Sequence, residues 1–69
     1  MDKPASKNSL QLSVGDLVQE KIGGTFGIVK EIKMSDYSYG FNITFFNGSS
    51  QSNLYYSYAL AYSSLTKIE

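Results

Sequence analysis

The sequence predicts an all-β domain, a small barrel of four to five short antiparallel strands. Three observations predict it. Apolar runs of strand length recur at close spacing and are separated by glycine-rich or Asn-Gly turn signals. Phe41, Ile43 and Phe45 alternate cleanly with Asn42 and Thr44, the period of a strand with one buried face. The only proline is Pro4, so nothing in the body of the chain bars a strand, and no segment carries a helical period of useful length.

Taken in order, residues 1–9 are polar and read as a flexible tail, leaving residues 10–69 as a single domain. Val14-Gly15-Asp16 forms a turn feeding a first strand through Leu17–Lys21, with Val18 inward; the Asp16 carboxylate bonds backbone amides of the turn. Ile22-Gly23-Gly24-Thr25-Phe26-Gly27 reads as a loop, and Gly27–Lys33 as the second strand. Val29 and Ile32 are both apolar but three apart, which breaks the period of two and predicts a bulge between them. Met34–Gly40 is a polar connection at a hairpin tip, and Phe41–Phe45 is the third strand. Asn47-Gly48 then predicts a tight hairpin turn with positive φ at both residues. A fourth strand falls within Ser50–Tyr58. Tyr58–Tyr62 is either the last of that strand or one 3₁₀ turn, and Leu65–Ile68 is a short closing strand.

At 69 residues a single domain buries only about 60% of its unfolded surface. With no Cys and no His, neither disulfides nor the usual zinc sites add support, which leaves a compact apolar core, with association available as extra support. The N-terminus has no apolar h-region and no run spans a bilayer, so the expectation is a soluble cytoplasmic protein. The triplets Asn42-Ile43-Thr44 and Asn47-Gly48-Ser49 are read as chance matches to a glycosylation pattern.

Charge is distributed unevenly. Ten of the twelve charged side chains lie in residues 2–36, and none lies between Tyr37 and Thr66. That uncharged half is rich in Tyr, Ser and Asn, the composition of adaptable protein-binding surfaces. The balance of six Lys against six Asp and Glu disfavours a nucleic-acid module, whose affinity rests on phosphate contacts.

Catalysis finds no material. With His, Cys and Arg all absent, a nucleophile and base would have to come from Ser, Lys and carboxylates. Asp16, Glu20, Glu31 and Asp36 form no paired motif and no metal-ligand cluster, so no catalytic residue, cofactor or metal is assigned. Gly23–Gly27 lacks the Gly-Lys-Ser/Thr end of a phosphate loop and is read as a strand connection.

The aromatics are the binding candidates. Phe41 and Phe45 belong to the core and Phe26 to its edge, whereas Phe46 points outward. Tyr37 and Tyr39 share a face of their loop; Tyr56 and Tyr58 share a face of a strand, with Tyr55 opposite. The expected binding surface is therefore Tyr37, Tyr39, Phe46, Tyr56 and Tyr58, with Asp36 beside Tyr37 available to an aromatic cage for a methylammonium group. In the alternative reading, Lys21, Lys30 and Lys33 contact phosphates while Tyr37 or Tyr39 stacks on bases.

Val14-Gly15-Asp16-Leu17-Val18, Gly23-Gly24, Gly27-Ile28-Val29, Phe41–Phe45 with Gly48, and Leu65 resemble the pattern of SH3-like barrels, with an opening similar to KOW and Tudor-like modules. The resemblance covers residues 12–68 and extends to small single-barrel proteins of bacteria and their phages. The thirty-residue uncharged stretch predicts a non-catalytic protein–protein interaction module, an accessory or structural subunit of an assembly; the resemblance adds that the assembly is phage-like, with virion association as the corresponding location. The alternatives it implies are a KOW-like nucleic-acid or ribosome-binding module and a Tudor- or SH3-like peptide reader. The partner expected first is another protein or a second copy of the chain.

Overall fold

The computed structural model describes residues 10–68; the tail expected over residues 1–9 lies outside them. Five antiparallel strands form one open sheet: β1 (Leu17–Glu20), β2 (Phe26–Met34), β3 (Tyr39–Asn47), β4 (Ser50–Ser57) and β5 (Leu65–Ile68). A short helix, α1 (Tyr58–Ser64), joins β4 to β5, and the order across the sheet is β4-β3-β2-β1-β5. β4 and β5 are its two edges, so the expected closure into a ring is not made by backbone pairing.

The core lies on the concave side. Phe41, Ile43 and Phe45 of β3 are buried there as their alternation requires, together with Val18, Val29, Tyr56, Leu65 and Leu12. Val18, Val29, Phe41, Ile43 and Leu65 are fully buried, each contributing roughly 1.5–3 kcal/mol of apolar transfer. Around the first turn, Ser13 N–H donates to Asp16 Oδ2 at 2.7 Å and Asp16 N–H to Ser13 O at 3.0 Å, the role expected of that carboxylate. Gly15 N–H to Val29 O and Val29 N–H to Asp16 O then fasten this turn to β2.

The β2–β3 register shifts between Val29 and Glu31, which places the bulge where the irregular spacing predicted it. Before the bulge, Gly27 and Val29 face inward; after it, Ile32 does, paired with Phe41.

Three local expectations are corrected. Phe26 is strand, not loop, and β2 starts one residue before the expected Gly27: the loop covers residues 21–25, with positive φ at Gly23 and Gly24. Gly27 is a glycine for packing reasons, since a Cβ there would stand 2.7 Å from Phe45 Cδ1 and 2.9 Å from Ile43 Cγ2. The β3–β4 hairpin turns one residue later than expected, because Asn47 pairs with Ser50 and the loop is Gly48-Ser49, with Gly48 at φ +64°. Finally, the strand end or 3₁₀ turn expected at Tyr58–Tyr62 is a seven-residue α-helix. Ser57 caps it by accepting from Leu60 N–H, Ala61 packs fully buried against the sheet, and Leu65 N–H closes on Ala61 O. The pattern Tyr58, Ala61, Tyr62, Leu65 is an i, i+3, i+4, i+7 stripe too short to stand out against poor helix formers such as Tyr and Ser.

Candidate interaction surfaces

The five aromatic positions expected to form one binding surface are distributed over four places. Tyr37 stands in the β2–β3 connection and is 98% exposed, whereas Tyr39 already belongs to β3. Tyr56 faces the core, 8% exposed, and its hydroxyl donates to Glu20 Oε2 at 3.1 Å. Burial and the adjacent Glu20 carboxylate raise the Tyr56 phenol above the ordinary tyrosine value, burial being the larger cause. Tyr56 and Tyr58 therefore do not share a strand face: Tyr58 opens α1, and its hydroxyl accepts from Leu10 N–H at 3.1 Å.

Tyr58 brings a different set together. Its ring lies 5.5 Å from that of Tyr39 and is stacked on Tyr62 at 6.4 Å with 20° between planes. Tyr39 in turn meets buried Phe41 edge-on at 5.3 Å. The result is a row, Tyr39–Tyr58–Tyr62, whose ends are exposed and whose middle rests on the core. Tyr62 was not singled out by the sequence, although its i+4 relation to Tyr58 makes the two neighbours once the segment is helical.

Phe46 lies on the convex face of the sheet, as expected, and there it has company. Directly across from it on β2 is Phe26. One rung pair further along, Ile28 stands opposite Leu17, and Leu17 opposite Ile68. Antiparallel partners share a face, so Leu17, Phe26, Ile28, Phe46 and Ile68 form two adjoining apolar rows over four strands. Leu17, Phe26 and Phe46 are each more than a third exposed, and Ile28 and Ile68 are half-buried. Polar side chains border the patch: Thr44 Oγ1 donates to Asn53 Oδ1 at 2.6 Å, and Asn42 Nδ2 donates to Glu31 Oε1 at 3.0 Å. Assembling these rows requires the long-range pairing of β1 with β5, which no local pattern encodes.

The lysines do not converge. Lys21 sits in the β1–β2 turn, Lys30 is the unpaired residue of the bulge, and Lys33 lies beyond it with Nζ 3.8 Å from Glu31 Oε1. Between β1 and α1 there is a half-open recess of about 350 Å³, walled by Glu20, Ile22, Tyr56 and Leu60. Its acidic group is already engaged by the Tyr56 hydroxyl. Among the described residues no helix is long and apolar enough to cross a membrane. Comparison of the chain with protein-family models, curated proteins and solved structures gave no match.

Proposed function

We propose that this chain is an SH3-like barrel acting as a non-catalytic protein–protein interaction module, a small accessory or structural subunit of a larger assembly. The fold reading is supported by the strand order β4-β3-β2-β1-β5, by the helical turn between β4 and β5, and by a curl tight enough for Tyr56 of β4 to reach Glu20 of β1. The functional reading is carried by one observation, the apolar patch of Leu17, Phe26, Ile28, Phe46 and Ile68 on the face turned away from the core. Phe26 and Phe46 stand side by side, and among the described residues none covers them beyond their own cross-strand contact. Contiguous apolar surface rimmed by polar groups marks protein docking sites.

The test is a paired substitution, Phe26→Lys with Phe46→Lys. Both side chains are partly exposed, so the fold is retained. Partner capture from the native host is expected to be lost, with far-UV circular dichroism unchanged. Equal capture by wild type and double variant overturns the reading; loss on Tyr62→Ser instead relocates the contact to the tyrosine row.

A further inference from the structure

The two edges of the sheet are built differently. β5 is four residues long and carries Lys67, whose ammonium lies 3.5 Å from Asp16 Oδ2. Short length and a lysine are the usual protections of an edge against pairing with another chain. β4 has neither. Its eight residues, Ser-Gln-Ser-Asn-Leu-Tyr-Tyr-Ser, contain no charge and no proline, and they pair with β3 without a register shift along the whole strand. Among the described residues no backbone hydrogen bond reaches β4 from any element but β3.

The register fixes which groups are left over. The two-residue loop Gly48-Ser49 closes on the bonded pair Asn47–Ser50, and bonded pairs recur at every second position of an antiparallel ladder. Ser50, Ser52, Leu54 and Tyr56 thus bond to β3, while Gln51, Asn53 and Tyr55 turn their N–H and C=O groups outward; Ser57 offers its N–H alone, because its C=O opens α1. In the middle of this edge Leu54 and Tyr55 are each 48% exposed.

We propose that the occupant of this edge is a second copy of the chain, paired through β4 antiparallel to itself about a two-fold axis at Leu54. In that register Leu54 faces Leu54 of the other copy, Asn53 faces Tyr55, Gln51 faces Ser57 and Ser52 faces Tyr56. The two Asn53–Tyr55 pairs exchange both bonds, and each Ser57 N–H meets a Gln51 carbonyl. The charge pattern favours a second copy specifically. Self-pairing sets every side chain against its own kind of surface, which is repulsive for a charged strand and free of repulsion for one with no charge at all. The pairing also closes. Once the β4 edges are joined, only the short, lysine-bearing β5 edges remain, so assembly stops at the dimer. This contact goes beyond the apolar patch of the convex face and uses none of its residues.

Sedimentation velocity at rising concentration tests it, with single-cysteine variants that are unambiguous because the chain has no cysteine of its own. A monomer–dimer equilibrium is expected, and Leu54→Lys, which sets two ammonium groups opposite each other, is expected to weaken it about tenfold or more. Leu54→Cys is expected to oxidise to a covalent dimer. Ser52→Cys is not, because its symmetry mate stands about 13 Å away by strand rise, too far for a disulfide. A monomer at every concentration overturns the proposal, as do assemblies larger than a dimer or equal cross-linking at both positions. Phe26→Lys with Phe46→Lys is expected to leave the dimer intact, so failure of the convex-face reading and failure of this one are read separately.

Discussion

Tyr56 and Glu20 are 36 residues apart and lie on strands that are not neighbours, yet the Tyr56 hydroxyl donates to Glu20 Oε2 at 3.1 Å. The bond crosses the mouth of the curled sheet and ties β4 to β1 where no backbone pairing does so. It holds in place the strand on which the free edge depends.

Tyr56→Phe is expected to cost about 1 kcal/mol at neutral pH, the scale of one partly screened hydrogen bond. The pH dependence has a definite sign. The folded-state phenol is raised above its ordinary value, so the folded protein holds that proton more tightly than the unfolded chain. Its contribution is complete below about pH 10 and is lost as pH rises through the raised value. Urea denaturation of both proteins across that range should show the stability advantage of the wild type shrinking in alkali.

Gly27→Ala is expected to destabilise by about 1–3 kcal/mol, because the added methyl meets Phe45 and Ile43, two buried side chains with nowhere to retreat. In a domain of this size that lowers the thermal midpoint by roughly 4–8 °C per kcal/mol, readable by calorimetry. A neutral result would mean that the two side chains repack freely.

Ser57→Ala removes the cap of α1 and should cost about 1 kcal/mol. The helix has no acidic residue in its first turn and no basic residue in its last, so no other charge compensates for the loss. Denaturant midpoints compare the two, and Ser57→Asp is expected to restore most of the difference.

Asp16→Ala should cost about 1 kcal/mol, since it releases Ser13 N–H and leaves Lys67 without its partner. Added salt should narrow the gap only slightly if the amide bond dominates, which a salt series of melting curves measures.

Much of the scaffold could be read from local pattern. β3 followed from the alternation of Phe41, Ile43 and Phe45, the bulge from the three-residue step between Val29 and Ile32, and β5 from Leu65–Ile68. Errors arose where one residue type serves two purposes. Glycine marks turns, which carries the expected loop through Phe26 to Gly27, whereas the small size of Gly27 serves the ring of Phe45 within β2. Tyrosine suits strands, so Tyr58–Tyr62 lost its helical stripe. The candidate surfaces were the least legible part. Phe46 was placed outward from its own strand, but its neighbours Phe26, Leu17 and Ile68 come from pairings across the chain. Tyr56, assigned outward, faces inward because it stands opposite Phe41.

The bulge beside Lys30 makes β2 change parity halfway along: odd-numbered positions supply its interior before that point and an even-numbered one after it. A single-residue deletion at Lys30 would leave Val29 and Ile32 two apart, a regular ribbon with both side chains still inward and Ile32 still opposite Phe41. Removal of Ile28 would instead make Gly27 and Val29 neighbours on opposite faces, so β2 can shorten at its one unpaired residue and not before it.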